Sequence, residues 1–143
     1  MFTVDASVHL NALHPSEAGS QVSLACLEQL VAQRITILSP TLLLVEIAAT
    51  TARSLGDAGI ALQMASALRD LPGQLWIPLD DELAGKAARL GAEARLRGAN
   101  AVYAAVAQRF GTTLVTRDRQ QLERLADIVP VMTPEALVQA LGN

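Results

Sequence analysis

Asp5, Glu46 and Asp118 are the residues whose types and placement in this chain suggest chemistry. Asp5 closes the apolar run Phe2-Thr3-Val4, Asp118 follows Leu114-Val115-Thr116, and Glu46 lies within an apolar helical stretch. Burying an unpaired carboxylate is costly, so such residues normally face water. Two of the three stand at the exits of predicted strands, and open α/β sheets bind ligands in the crevice beyond the carboxyl ends of their strands. If those strands are neighbours, Asp5 and Asp118 share one crevice, where gathered like charges require a cation. The chemistry indicated is a divalent-metal site.

The elements that must hold these groups follow from periodicity and punctuation. Phe2 to Asp5 reads as a short buried strand and Ser7 to Leu13 as a brief helix. Val22, Leu27, Leu30 and Val31 fall at helical spacing within Ser20 to Gln33. Ile35 to Leu38 is strand-like, and Ser39-Pro40 is expected to start a helix to about Ser54, with the proline in its first turn. Gly56 ends that helix, and Asp57 opens another that runs to Leu71, before Pro72-Gly73. Leu75 to Pro78 is the third strand, and Asp80-Asp81-Glu82 caps a helix with Leu83, Ala87, Leu90 and Ala94 along one stripe. Beyond Gly98, Asn100 is expected to begin a helix through Phe110. Thr113 to Thr116 reads as a strand, Arg119 to Ala126 as a helix, Ile128 to Val131 as a strand and Pro134 to Leu141 as a helix. Strands alternating with helices predict a mainly parallel sheet of four to five strands covered on both faces, a three-layer α/β/α sandwich. Residues 1–143 are read as one domain, with no repeat or linker.

Composition narrows the function classes. With 51% hydrophobic residues the chain is not disordered, and with only 3% aromatics its core must be packed by Ala, Leu and Val. No apolar run approaches the ~18 residues of a membrane span, and no basic region precedes an apolar stretch as in a signal peptide. The single cysteine, Cys26, has no internal disulfide partner and reads as a small core residue, so a reducing cytoplasmic setting is expected. A net charge of −3 argues against nucleic-acid binding by general attraction, while leaving room for a local grip through arginines, which are ten of the eleven basic residues.

The motifs resemble those of the PIN domain, in particular the toxin-like ribonucleases of the VapC type. The matching segments are Val4-Asp5-Ala6-Ser7, Val45-Glu46-Ile47, Arg97-Gly98-Ala99-Asn100-Ala101-Val102-Tyr103 and Leu114-Val115-Thr116-Arg117-Asp118. The likeness runs over nearly the whole chain, and the order of elements agrees. It implies cleavage of single-stranded RNA with magnesium or manganese, the ions held at Asp5, Glu46, Asp118 and the position of Asn100. Ser7 and Thr116 match positions that support the site. It further implies a homodimer, silenced by a small antitoxin whose tail enters the acidic cleft. The residue types suit this role independently, because Mg²⁺ takes hard oxygen ligands and keeps several waters. A bound ion can lower the pKa of a water, align it with a phosphodiester and offset charge on the leaving oxygen.

Asn100 departs from the pattern, since the family usually carries an acid there. An amide oxygen still coordinates a hard cation, but it brings no charge and its NH2 must point elsewhere. The gross loss is about 8 kcal/mol for one charge ~4 Å from a dication at an effective dielectric of about 20. Desolvation and repulsion avoided by the amide offset much of that. Weaker metal binding, slower cleavage and a more stable metal-free fold are expected.

Taken singly, each residue has a plainer reading. Asp5, Asp118 and Asn100 all suit a helix N-cap, and Glu46 shares a helical face with Thr50 and Arg53. Their joint arrangement, not any one of them, favours the metal site. His9 and His14 lack partners for a zinc tetrahedron, and His9 is expected on a helix surface. Asp80-Asp81-Glu82 fits the positive end of a helix dipole. Arg95, Arg97, Arg117 and Arg119 read equally as surface charge or as phosphate grips around an acidic centre.

Three functions compete: a metal-dependent endoribonuclease of a toxin–antitoxin pair, a module impaired by Asn100 that binds RNA or protein as a regulator, and an unrelated receiver-like or phosphatase-like domain. A receiver requires an aspartate after its third strand and a late-strand lysine. Here the third strand ends Trp76-Ile77-Pro78, and Lys86 lies inside a helix, so the third reading is poor.

Overall fold

The computed structural model describes residues 1–142. The run Phe2–Val4 forms β1 at the centre of a five-stranded sheet. After it come α1 (Ala6–Ala12), α2 (Ser20–Ala32), β2 (Ile37–Pro40), α3 (Leu42–Leu55), α4 (Ala58–Arg69) and β3 (Gln74–Ile77). The second half holds α5 (Asp81–Ala94), α6 (Gly98–Phe110), β4 (Thr113–Val115), α7 (Arg119–Arg124), β5 (Val131–Met132) and α8 (Pro134–Leu141). The sheet order is β3-β2-β1-β4-β5 and every pairing is parallel, so this is a single α/β domain of the expected kind. The chain winds outward from β1 through β2 to β3, then returns to lay β4 on the other side of β1. That reversal opens a crevice at the carboxyl ends of β1 and β4.

Alternation along the strands sorts side chains to two cores. Leu38 and Leu114 enter the cluster formed with α3 to α6, while Val4, Ile37 and Val115 enter a second one with Val8, Cys26, Leu30 and Leu137. Three layers result, as the strand–helix alternation predicts. Scarce aromatics are compensated by close approach: α6 is lined by the buried Ala101, Ala104, Ala105 and Ala107. A Cβ on Gly91 of α5 would stand only 3.2 Å from Ala101 Cβ. Cys26 is buried, and burial pushes its thiol up to about 11.

Caps at Asp57 and Asp80 and the stop at Gly56 fall where the sequence indicates them. Several boundaries shift by one or two residues, and three differences have a clear physical reason. Pro40 does not open a helix but ends β2 opposite Ile77, a place where its missing N–H costs nothing because the next amide, Thr41, bonds the Ile77 carbonyl at 3.0 Å. The last strand is Val131–Met132 instead of Ile128 to Val131, since the amides of Ile128 and Val129 turn back to the Leu125 carbonyl. Asn100 lies inside the first turn of α6, whose N-cap is Arg97. No helix among the described residues is long and apolar enough to cross a membrane.

Candidate active site

β1 delivers Asp5 to the crevice, and the Asp5 amide bonds the Val115 carbonyl of β4 at 2.9 Å. The residue is 3% exposed. Oδ2 accepts from the Ser7 amide at 2.9 Å, capping α1, and Oδ1 accepts from Gln121 Nε2 at 3.2 Å. Burial raises the Asp5 pKa above its ordinary value, the bonds from Ser7 and Gln121 oppose this, and the charge of Asp118 adds to the rise. Asp118, half-buried, caps α7 through a 3.0 Å bond from the Gln121 amide to its Oδ1. The plainer cap readings of both aspartates therefore hold alongside their convergence.

Thr116 ties the two strand ends together. Its fully buried hydroxyl accepts from the Asp118 amide at 2.9 Å and donates to Gln121 Oε1, with Asp5 Oδ2 at 3.5 Å. Ser7 Oγ lies 3.3 Å from Thr116 Oγ1 and accepts from the Arg117 amide at 3.0 Å. Glu46 reaches the site from α3, where Tyr103 Oη donates to its Oε1 at 2.7 Å. Burial raises the Glu46 pKa, the Tyr103 bond opposes it, and the Asp5 charge raises it further. Asn100 is buried, with no partner for its Nδ2, while its backbone carbonyl accepts from Gln121 Nε2 at 3.3 Å.

The expected three-carboxylate set is not preassembled. Among the described residues no three His, Cys, Asp or Glu side chains are gathered closely enough to share an ion. The reasons are local: Asp118 is turned to its cap, Glu46 is drawn onto Tyr103, and Asp5 is held by Ser7 and Gln121. The donor chemistry still suits a hard cation. Among the described residues, none of the three carboxylates is paired with a cationic side chain; the charge of Asp118 acts on Asp5, and that of Asp5 acts on Glu46.

The arginines divide. Arg117 is held inward: its Nη1 lies 3.2 Å from Ser23 Oγ and 2.9 Å from Glu135 Oε1, and its guanidinium covers Gly19 so closely that a Cβ there would meet Nη2 at 2.0 Å. Arg119 is exposed and paired with Glu123 in the next turn at 3.0 Å. Arg95 and Arg97 are exposed, at the end of α5 and the start of α6, and make no ion pair among the described residues. His9, expected on a helix surface, is instead 3% exposed, its Nε2 unpartnered, and burial lowers its pKa to about 4.

Two site residues escape a reading of the sequence. Tyr103 looks like core and Gln121 like a solvated helix position. Each lies three residues beyond a residue already singled out, Asn100 and Asp118, and that helical spacing is the signal that finds them.

A family model of the PIN domain matches residues 2–128. The chain belongs to the PIN domain family. Similar solved PIN-fold structures include FitAcB from Neisseria gonorrhoeae, at 21% identity and a TM-score of 0.70, covering 94% of this chain and 99% of that one. A toxin–antitoxin complex from Klebsiella pneumoniae aligns at 19% identity and a TM-score of 0.67, covering 94% and 98%. VapC20 of Mycobacterium tuberculosis, described as a sarcin-ricin loop cleaving toxin, aligns at 16% identity and a TM-score of 0.69, covering 91% and 100%. No curated protein matches this PIN domain.

Proposed function

We propose that this PIN domain is an endoribonuclease dependent on Mg²⁺ or Mn²⁺, the toxin of a toxin–antitoxin pair, working at a site of reduced charge. The observation that carries the reading is Asp5: a buried carboxylate at the β1–β4 crevice, beside the charges of Asp118 and Glu46 and without a cationic partner among the described residues. Asp5, Glu46 and Asp118 would hold the ion, with the Asn100 amide oxygen as a neutral fourth donor. When bound, it supplies an activated water and charge for the leaving oxygen. Glu46, steadied by Tyr103, positions the attacking water. Ser7 and Thr116 hold the two strand ends in register, and Arg95 and Arg97 are free to meet phosphates.

A small antitoxin is the proposed partner, by analogy with the toxin–antitoxin complex among the similar structures. An apolar groove of about 520 Å³, lined by Leu24, Leu27, Val31, Met64, Leu68 and Leu71, would accept an apolar helix of that partner. Val45, Leu55, Ile60 and Leu62 are exposed on α3 and α4 and support a homodimer. A reducing cytoplasm is the proposed setting, consistent with the lone buried Cys26.

The second reading is a catalytically impaired module that regulates by binding RNA or protein. It is favoured by the two amides, Asn100 and Gln121, that stand among the carboxylates. A labelled panel of single-stranded and structured RNAs, incubated with Mn²⁺ or with chelator, separates the two. Cleavage by this chain that chelator abolishes supports the nuclease. Cleavage only by Asn100→Asp supports the impaired module, and none by either protein overturns the ribonuclease.

A further inference from the structure

We propose that Gln121 is a positioning residue that takes, on Asp5, the place otherwise left to a cation, so that the site is built without metal. Gln121 is fully buried although it is the third residue of a short helix whose only apolar residue is Leu122. Both hydrogens of its Nε2 are used, one on Asp5 Oδ1 at 3.2 Å and one on the Asn100 carbonyl at 3.3 Å. Its Oε1 accepts from Thr116 Oγ1, and its backbone N–H donates to Oδ1 of the capping Asp118. One neutral side chain thus joins the ends of β1 and β4 to the starts of α6 and α7.

The chemistry of an amide makes this possible. A buried carboxylate needs either a counter-charge or enough donors, and the Gln121 NH2, with the Ser7 amide, provides donors. Glutamate at the same position has nearly the same shape and no N–H to give. It would set a second carboxylate against Asp5, and a cation or a shared proton would then be needed to hold the four segments together. The glutamine therefore separates assembly of the site from loading of the ion. This rests on the divalent-cation reading above, but it concerns the fold of the metal-free protein.

Thermal unfolding of the full chain tests it without any RNA, for the wild type, Gln121→Glu and the neutral, donor-free Gln121→Met, each in EDTA and in millimolar MnCl2. The wild type is expected to move by no more than about 2 °C between the two conditions. Gln121→Glu should melt roughly 5 °C or more below it in EDTA and recover most of that in Mn²⁺, whereas Gln121→Met should fall and stay down. If Gln121→Glu folds only in Mn²⁺, unfolding on later chelation reads the same way. The proposal is overturned if Gln121→Glu matches the wild type in EDTA, if Mn²⁺ restores Gln121→Met as fully as Gln121→Glu, or if the wild type gains as much from Mn²⁺ as the glutamate variant. A flat wild-type response alongside absent RNA cleavage overturns the ribonuclease reading alone.

Discussion

Tyr103 and Glu46 are joined by a 2.7 Å hydrogen bond from the phenol to Oε1, which links α6 to α3 across the edge of the site. Tyr103 is fully buried, and its phenol is held protonated far above the ordinary value by burial and by the charges of Glu46 and Asp5. It is therefore a fixed donor, and it sets which way Glu46 faces. Tyr103→Phe keeps the ring and removes the donor. If Glu46 positions the attacking water, kcat should fall about tenfold with KM unchanged, the equivalent of one charged hydrogen bond. Equal losses in binding and turnover, or none, would place Glu46 outside the chemistry.

Asn100→Asp is expected to raise Mn²⁺ affinity, measured by calorimetry, about tenfold or more. The same change should lower the melting temperature in chelator, because a buried carboxylate would then face Asp5 with no cation between them. Unchanged affinity would remove Asn100 from the ion's surroundings.

The arginines should separate by salt dependence. Arg95→Ala and Arg97→Ala are each expected to flatten the slope of log K for single-stranded RNA against log salt by about 0.7. Arg117→Ala should leave that slope alone and cost stability instead, since its guanidinium is spent on Ser23 and Glu135. A steeper or equal slope in the Arg95 and Arg97 variants would make them ordinary surface charge.

Acid should act through His9. Its folded pKa of about 4 lies below the ordinary 6.5, so as pH falls through that window the unfolded chain takes up a proton that the folded chain refuses. The contribution is complete above pH 6.5 and is lost towards pH 4, on the order of 3 kcal/mol. Asp5 and Glu46, with raised values, push the other way, so the comparison must be made between variants. Melting curves of wild type and His9→Leu should diverge below pH 6.5, the wild type losing more. Parallel curves would mean that His9 is not protected from protonation.

Much of this is legible in the amino-acid sequence. Short apolar runs ending in Asp5 and Thr116-Arg117-Asp118 mark strands and the polar groups at their exits, because burial of such runs and the cap chemistry after them are both local. The pairing of β1 with β4 is not local, yet the charge argument required it, and the sheet order supplies it. What stayed hidden depends on distant neighbours. His9 is buried where α1 meets the groove lined by residues of α2 and α4, and nothing in its own turn announces that. Gln121 and Tyr103 acquire their roles from Asp5 and Glu46, more than fifty residues away in each case. A proline suits a strand end as well as a helix start, and only the pairing with Ile77 decides for Pro40.

Thr116 and Gln121, which hold Asp5 from the end of β4 and from α7, come 111 and 116 positions after it. A polypeptide emerging from the ribosome thus carries Asp5, bonded to the Ser7 amide, long before these distant partners exist. The crevice is therefore complete only once synthesis has passed α7.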